Sequence, residues 1–599
     1  MTKQFFSKKQ KKKSAPKKHF RKSTGRPPKK SFDQNKSIPD TALAYVVKRN
    51  GDLYLTSTNK KNRFEFELPN TPENLALVNH LVVLDFSTNK PIPDIKEKVH
   101  QLGALKDFYR IAVEQFELPH QFNPPLLKET EELHALDEKA TYRKDYTALP
   151  FVTIDGEDAK DFDDAVYAIP DKNPSNPNGW HIKVAIADVS YYVRPNSELD
   201  KEAFLRGNSV YFPGTVIPML PEVLSNDLCS LRPHQNRPTL IAHIDINDKG
   251  HLLKFKFDRG LIKSIERLTY TETQKRFDAQ KGENLQEINA LYGAYHALKR
   301  NREQRDTLDL NMPEHEFSLN AAGEIQNISV KKQLESHVLI EEFMIAANIA
   351  AAKTLSLKQS LCLYRCHDHP PEEKFSDFLI LLKNLGIPYK KNPKASAHFF
   401  HKLLETKLNE GQRDLLQQMI LRSQSQASYT IENIGHFGLA LEHYCHFTSP
   451  IRRYADLIVH RLLIHTLNLG VGGYAYKDPE ELDDMASHIN ITERQAFKAE
   501  MSTDDRLIAH YMQHQVGKKF KGRISGMNRF NLFIYIPELG AEGVLPIENM
   551  PKDKYHYDVK HKELKAMRSR KSYALGQNLM VTIDQSDEIR GTITMKLSD

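Results

Sequence analysis

One acidic segment constrains the fold of this chain more than any other. Residues 153–168 read TIDGEDAKDFDDAVYA and place six carboxylates within ten positions. An apolar run precedes them (FVTI) and another follows (AVYAI), and such runs are typical of buried strands. The segment therefore predicts a strand–loop–strand unit in which carboxylates converge from both sides of a turn.

Dense carboxylates between strands are suited to hard divalent cations such as Mg²⁺, which take oxygen ligands. In an extended backbone Asp161 and Asp163 share one face and Asp164 points away, while Asp155 arrives from the preceding strand. Phosphodiester cleavage by one or two metal ions favours this composition. A solvated acidic loop and a structural Ca²⁺ loop remain alternatives, although the EF-hand spacing is absent.

The length of 599 residues predicts several domains, because a single core rarely grows beyond about 250–300 residues. Hydrophobic residues make up 40% and charged residues 27%, as in soluble globular proteins. The four cysteines are too few for a disulfide scaffold and favour a reducing cytoplasm. No apolar run approaches the roughly 20 residues that span a bilayer. We therefore expect a cytoplasmic protein without a membrane partner.

The positive charge is concentrated at the start of the chain. Residues 1–37 contain 14 Lys or Arg and one acid, so the rest of the chain is net negative although the total is +8. This low-complexity tail is predicted to be disordered. One interpretation is an electrostatic arm for structured RNA or the ribosome. The alternative is a solubilising tail without a dedicated partner.

Strand and helix patterns divide the remaining chain. Residues 38–100 are β-rich, with a hairpin signal at Asn50-Gly51, and predict a small barrel. Residues 101–148 are a connector. Residues 149–475 mix strands and helices as one large α+β domain, and residues 476–515 continue as helix. Residues 516–599 hold short strands separated by glycines, as in a five-stranded OB barrel.

A second motif, GHFGLALEHYCHFTSPIRRYADLIVHR at residues 435–461, supplies the independent signal that the acidic loop needs. Together with VAIADVSYYVRP, SVYFPGTVIPMLPEVLSNDLCSL and LIEEFMIAANI, these words resemble the RNB family of 3′→5′ exoribonucleases, in the family's order, over residues 150–465. These motifs are more similar to those of RNase R than to those of RNase II. The resemblance implies a multidomain α+β protein whose RNB domain lies between a cold-shock-like and an S1-type OB domain.

The resemblance also implies roles for individual residues. The aspartates that match the family's Mg²⁺ ligands, for one or two ions, are Asp155, Asp161, Asp163 and Asp164. Of these, Asp163 matches the residue most critical for chemistry. Glu157 and Asp158 match no catalytic position and are interpreted as ordinary loop acids.

Three further residues match substrate-contacting positions. Arg452 matches an arginine at the scissile phosphate, Tyr211 an aromatic that stacks near the 3′-terminal base, and Glu341 a carboxylate at the terminal nucleotide. Judged without the resemblance, each has a structural alternative. Tyr211 lies between two apolar residues and could be core, Arg452 or its neighbour could pair with Asp456, and Glu341 could lie at a helix edge.

The implied activity is processive, Mg²⁺-dependent 3′→5′ hydrolysis of single-stranded RNA with a free 3′ end, by a monomer, to nucleoside 5′-monophosphates, in RNA turnover and processing. The alternative is a catalytically silent RNA-binding protein on the same scaffold, acting in translation or ribosome maturation. A deoxyribonuclease is a third possibility. The chain departs from the RNase R pattern in two respects. Only about 110 residues precede the RNB block after the tail, and Leu308 and Leu310 stand where a second stacking aromatic is expected.

Overall fold

The structure of the protein is a computed structural model that describes residues 41–598, except residues 62, 89, 102–107, 135–141, 309, 311–314, 321–324, 477 and 560. The basic tail predicted at residues 1–37 lies outside the described residues. Among the helices of the described ranges, none has the length and hydropathy that crossing a bilayer requires. The described chain has an N-terminal sheet, a central α+β domain and a C-terminal barrel.

The N-terminal sheet is antiparallel, in the order β3-β2-β1-β4-β5. Its elements are β1 (Thr41–Arg49), β2 (Asp52–Ser57), β3 (Glu65–Leu68), the short helix α1 (Pro72–Leu75), β4 (His80–Asp85) and β5 (Asp94–Gln101). The hairpin predicted at Asn50-Gly51 is confirmed, because Arg49 pairs with Asp52 and both turn residues have positive φ (52° and 96°). The assignment of residues 38–100 to a cold-shock-like domain stays a prediction.

A seven-stranded mixed sheet is the centre of the large domain, in the order β14-β7-β8-β9-β12-β13-β6. Two helices, α2 (Phe108–Gln115) and α3 (Pro124–Glu131), precede it. Its strands are β6 (Lys144–Asp145), β7 (Val152–Asp155), β8 (Asp164–Pro170), β9 (Trp180–Ala187), β12 (Asn236–Ile246), β13 (Leu252–Lys263) and β14 (Glu266–Thr269). The apolar residues of these strands form one large core with the surrounding helices.

Six helices in the described part of the chain belong to this domain, and one of them packs closely against the sheet. They are α4 (Val189–Tyr192), α5 (Glu198–Arg206), α6 (Tyr270–Ala279), α7 (Leu285–Gln304), α8 (Glu335–Leu357) and α12 (Tyr454–Thr466). Helix α8 contains the run AANIAAA and contacts β9, β12 and β13. Such a run buries little side-chain volume, so the helix approaches the strands closely.

Smaller units project from the central domain. They are the hairpin of β10 (Val210–Phe212) and β11 (Thr215–Ile217), the hairpin of β15 (His315–Leu319) and β16 (Ile325–Val330), the pair of β17 (Tyr364–Cys366) and β18 (Ser428–Thr430), and the helices α9 (Glu372–Asn384), α10 (Ala397–Leu404) and α11 (Glu410–Ser423). Leu308 and Leu310 pack against the apolar cluster of α9–α11. These two leucines therefore contribute to packing at this cluster.

The C-terminal region begins with the long helix α13 (Pro479–Gln513) and continues as a closed barrel in the order β19-β20-β21-β26-β25. The barrel strands are β19 (Lys519–Met527), β20 (Asn531–Ile536), β21 (Ala541–Pro546), β25 (Asn578–Asp587) and β26 (Thr592–Leu597). The predicted multidomain α+β class with a five-stranded C-terminal barrel is confirmed. A separate sheet of β22 (Tyr555–Asp558), β23 (Glu563–Ala566) and β24 (Ser572–Ala574) was not predicted, because strands of three or four residues show little periodicity.

One buried arginine in α13 joins the three parts of the chain. Arg506 is 2% exposed. Its Nε donates to the carbonyl of Ile589 in the barrel (3.0 Å), and its Nη2 donates to the carbonyl of Thr58 after β2 (3.1 Å) and to Oε1 of Gln115 in α2 (3.0 Å). Burial lowers the pKa of Arg506 to about 10, so the side chain stays charged at neutral pH.

We expect Arg506→Met to loosen this junction, because the carbonyl oxygens of Ile589 and Thr58 would lose their charged donor. Each hydrogen bond to a charged group contributes about 1.5–3 kcal/mol. The midpoint of thermal unfolding should fall, and limited proteolysis should separate the parts sooner. Arg494→Met removes an exposed arginine of the same helix and serves as the control. Indistinguishable behaviour of the two variants would contradict the expectation.

Candidate active site

The acidic loop lies at one end of the central sheet, where β7 ends at Asp155 and β8 begins at Asp164. The hydroxyl group of Ser230 forms two hydrogen bonds with the backbone of this loop. The amide of Phe162 donates to Oγ of Ser230 (3.1 Å), and that hydroxyl donates to the carbonyl of Lys160 (2.8 Å). Because the Phe162 ring is also buried, the backbone between the two strands has a fixed path.

Asp163 connects the acidic loop to the SPIRRY segment. Its side chain is buried, and Oδ1 accepts a hydrogen bond from the amide of Ile451 (2.9 Å). Oδ2 lies 3.4 Å from Nε of Arg452. The Arg452 guanidinium also donates to Oγ of Ser449 (3.1 Å), and its side chain is 46% exposed. The arginine can therefore face the carboxylates and still be reached by a phosphate.

The structure distinguishes the two arginines of SPIRRY. Asp456 is fully buried and pairs with Arg453 (2.8 Å) while it accepts a hydrogen bond from the amide of Ser449 (2.8 Å). The pairing that the sequence left open for Arg452 is thus made by its neighbour. Arg452 is the cation next to the aspartates.

Asp164 differs from the expectation for an extended strand, which set it apart from the other aspartates. In the structure it lies close to Asp155, whose negative charge contributes to its raised pKa. Asp155 ends β7 and Asp164 begins β8, and these two strands pair at a single position, Val152 with Val166. Alternation along one strand tells which of its own side chains share a face, but it does not give their distance from a side chain of the neighbouring strand.

Burial dominates the electrostatics of this cluster. It raises the pKa of Asp155 to about 6 and that of Asp164 to about 8, and it raises the pKa of Asp163 well above the usual range. The positive charge of Arg452 opposes the increase at all three carboxyls. One arginine does not neutralise several buried carboxylates, so the protein alone retains protons at this site near neutral pH.

The oxygen atoms of the cluster fit a hard cation. Oδ2 of Asp155, Oδ2 of Asp163 and Oδ2 of Asp164 are buried and accept no hydrogen bond. Across the described ranges, no group of three or more His, Cys, Asp or Glu side chains is arranged to hold a metal ion on its own. An ion at this site would complete its coordination with water or phosphate oxygens, as Mg²⁺ commonly does.

Tyr211 lies beside the cluster on the hairpin of β10 and β11. Its neighbours Val210 and Phe212 are buried, whereas Tyr211 is 38% exposed. Because strand side chains alternate, the core position that the sequence allowed for Tyr211 is occupied by the residues on either side. The Tyr211 hydroxyl donates to Oδ2 of Asp161 (2.8 Å). The ring thus borders the aspartates with its hydroxyl fixed.

Glu341 lies on α8 and pairs with Arg302 of α7 (2.8 Å). Its neighbour Glu342 is 2% exposed and contacts the same guanidinium nitrogen (2.5 Å), while Glu341 is 39% exposed. The sequence did not reveal this cation, because α7 and α8 are distant in the chain. The structure brings the four aspartates, Tyr211 and Arg452 together, and it places Glu341 in an ion pair with Arg302.

Sequence reasoning missed two contributors to the site. The amide of Ile451 is a backbone group and has no residue signature. Tyr270 begins α6 directly after β14, which runs parallel to β7, and the pKa of its hydroxyl is raised by burial and by Asp164 and Asp155. A strand prediction for residues 266–269 next to β7 would have placed Tyr270 at the same sheet end.

Comparisons with known proteins show which families and proteins this chain is similar to. A family model described as RNB domain matches residues 143–469, and one described as S1 RNA binding domain matches residues 513–598. Ribonuclease R of Vibrio cholerae is 38% identical over 496 residues, which are 79% of this chain and 59% of that protein. Ribonuclease R of Escherichia coli is 39% identical over 463 residues, 75% of this chain and 56% of that protein. This chain therefore spans less than two thirds of the length of either relative.

A solved structure extends the likeness to almost the whole chain. It is the RNase R of Mycoplasma genitalium in complex with ribose-methylated single-stranded RNA, with a TM-score of 0.82 and 25% identity over 94% of this chain and 90% of that chain. The RNB match alone covers more than half of the 599 residues. From its aspartate loop, its SPIRRY segment, its fold and these matches, the chain belongs to the RNB-domain family and carries an S1 domain at residues 513–598.

Proposed function

We propose that this protein is a 3′→5′ exoribonuclease that hydrolyses single-stranded RNA processively and releases nucleoside 5′-monophosphates. The observation that carries the proposal is the group of buried carboxylate oxygens on Asp155, Asp163 and Asp164, next to the half-exposed Arg452. Phosphodiester hydrolysis commonly combines carboxylates that hold metal ions with a cationic side chain that binds the phosphate. The M. genitalium relative bound to single-stranded RNA supports the choice of substrate.

Mg²⁺ is the proposed cofactor, as one or two ions. The residues that would hold it are Asp155, Asp161, Asp163 and Asp164, which offer only oxygen donors. When bound, Mg²⁺ would activate water and offset negative charge at the scissile phosphate. The buried carboxylate oxygens that accept no hydrogen bond, and the raised pKa values of Asp155 and Asp164, support this assignment, since a cation would stabilise the charged forms.

The protein's own side chains would position the RNA. Arg452 would bind the scissile phosphate with its planar guanidinium while Asp163 and Ser449 hold that group in place. Tyr211 would stack on a base near the 3′ end, and stacking contributes about 1–3 kcal/mol per base without reading sequence. Glu341, oriented by Arg302, would contact the terminal ribose, whose 2′-hydroxyl distinguishes RNA from DNA.

Other parts of the chain would recruit RNA without sequence preference. We propose that the OB-type domains guide the strand to the RNB domain, and that residues 1–37 attract RNA or ribosomes through their charge. The protein would act as a cytoplasmic monomer. All four cysteines are buried free thiols, which supports a reducing compartment.

The competing proposal is a silent RNA-binding protein on the same scaffold. Retention of all four aspartates and of Arg452 supports the enzyme instead. The deciding experiment incubates labelled single-stranded RNA, single-stranded DNA and a 3′-overhang RNA duplex with the protein, with and without Mg²⁺. We expect mononucleotides from single-stranded RNA with Mg²⁺ alone. Intact RNA would favour the binding protein, and equal loss of DNA would favour a deoxyribonuclease.

Asp163→Asn should abolish hydrolysis, at least about 100-fold, while RNA binding survives. The amide oxygen can still accept from Ile451, so the local fold should be retained. Activity is measured on a 3′-labelled oligonucleotide and binding by filter retention. Asp158→Asn, in an exposed part of the same loop, is the control. An active Asp163→Asn enzyme would refute the metal assignment.

Tyr211→Ala should lengthen the limit product, because the last bases would lose their stacking surface. Tyr211→Phe keeps the ring but loses the hydroxyl contact with Asp161, and we expect its limit product to stay close to that of the parent. Both are measured on sequencing gels after exhaustive digestion. An unchanged product size for Tyr211→Ala would argue against the stacking role.

Asp164→Asn should stabilise the ion-free protein at pH 8. The carboxyl has an ordinary pKa of 3.8 in the unfolded chain and about 8 in the fold, so the folded form retains a proton that the unfolded form releases. The stability of the parent therefore falls as pH rises from about 4 to about 8, and the neutral amide avoids this loss. The gain is about 1 kcal/mol or more.

Thermal unfolding in EDTA at pH 4, 6 and 8 measures this effect. The gap between parent and variant should be small at pH 4 and largest at pH 8, and added Mg²⁺ should narrow it. Asp158→Asn again serves as the control. A gap of constant size across this pH range would show that burial of the Asp164 charge is not its cause.

A further inference from the structure

The hairpin that carries Tyr211 is too small to fix its own orientation. Its strands β10 and β11 have three residues each, and isolated hairpins are marginal even when longer. The buried side chains Val210, Phe212 and Ile217 pack against α2 and α13. These contacts fix the inner face of the hairpin, but Tyr211 lies on the outer face and depends on other interactions.

Tyr211 is held at two points that lie in different parts of the chain. Its hydroxyl donates to Asp161 in the acidic loop, and its backbone amide donates to Oε1 of Glu500 on α13 (2.8 Å). The amide points away from β11, since it bonds a side chain of another element. The amide contact fixes the backbone from which the ring projects, so its removal would leave the ring free to tilt about the hydroxyl contact.

The charged form of the Glu500 side chain is destabilised at this position. Its side chain is half-buried, burial raises its pKa, and Asp504 one turn further along α13 raises it further. Among the described residues Glu500 forms no ion pair with a Lys, Arg or His side chain, and its hydrogen-bond donor is the Tyr211 amide. A carboxylate without a cation is expensive to bury, so packing alone does not account for it.

We propose that Glu500 is a positioning residue that holds the Tyr211 amide, sets the angle of the ring toward the RNA bases, and thereby determines how far RNA is shortened. The proposal rests on the stacking role proposed for Tyr211. It adds a residue from α13, outside the RNB match, to the determinants of product length. Because α13 leads into the barrel, one helix contacts the hairpin of Tyr211 and also connects to the S1 domain.

The first test compares limit products of Glu500→Ala, Glu500→Gln, Tyr211→Ala and the double variant Glu500→Ala/Tyr211→Ala. Gln keeps an oxygen that can accept from the amide, so Glu500→Gln should behave like the parent. Glu500→Ala should lengthen the product by at least one nucleotide, and the double variant should equal Tyr211→Ala. Asp483→Ala removes an exposed acid from the same helix and is the control.

Kinetics separate positioning from loss of fold. For Glu500→Ala, kcat on short oligonucleotides should fall several-fold, while KM for long RNA stays within about twofold, since the long strand is bound elsewhere. A second readout uses RNA with 2-aminopurine at its 3′ end in an Asp163→Asn background. Stacking on Tyr211 should quench its fluorescence, and Glu500→Ala should relieve that quenching at equal affinity.

The outcomes separate the two proposals. If Tyr211→Ala lengthens the product and Glu500→Ala does not, the positioning role is wrong and the stacking role stands. Additive effects in the double variant, or failure of Glu500→Gln to restore the parent product, would also overturn the positioning role. If Tyr211→Ala leaves the product unchanged, the stacking role fails and the role of Glu500 fails with it.

Discussion

The hydrogen bond from the Ile451 amide to Asp163 is the contact on which the site depends. It joins two segments that are 288 residues apart in the chain, and it does so with a buried carboxylate oxygen. Through it the strand–loop–strand unit and the start of α12 become one surface, with Arg452 beside the aspartates. The hydrogen bond from the Phe162 amide to Ser230 fixes the loop. The sheet and the surrounding helices then hold the two segments next to each other.

The burial that orders the aspartates also leaves their negative charges incompletely balanced by positive charge. Three carboxyl oxygens accept no hydrogen bond, and of these three Oδ2 of Asp163 forms an ion pair with Arg452. A protein selected for stability alone would replace one aspartate with an amide, whereas a protein that binds a hard cation gains by retaining the charge. With the proposed Mg²⁺, the cluster would gain affinity for the cation at the expense of the stability of the ion-free fold. Half-exposure of Arg452 and Tyr211 leaves the open side of this cluster to a polyanionic strand.

The aspartates and Arg452 could be predicted from the sequence because they lie in contiguous motifs whose residue types and order are characteristic. Sequence reasoning could not place Asp164, since alternation along β8 does not give the distance from Asp164 to Asp155 on β7. It also could not see that Glu341 shares Arg302 with its neighbour, because that pair joins two helices. The short strands separated by glycines predicted the five-stranded barrel, while the strands of β22–β24 were too short to be detected. Local sequence pattern was sufficient for the longer elements, whereas the neighbours of Asp164 and Glu341 depend on tertiary contacts that the sequence does not display.

The junction at Arg506 has a consequence for how such chains diversify. Two of its three partners outside α13 are backbone carbonyls, at Thr58 and Ile589, and any amino acid supplies a carbonyl. The junction therefore requires a particular amino acid at position 506 of α13. It requires none at Thr58 or Ile589, whose backbone carbonyls accept the hydrogen bonds. An N-terminal sheet or a barrel of different sequence could be accommodated, provided that its chain path brings an oxygen to the same place. Module exchange between relatives should succeed more readily at this junction than at one built from matched side chains.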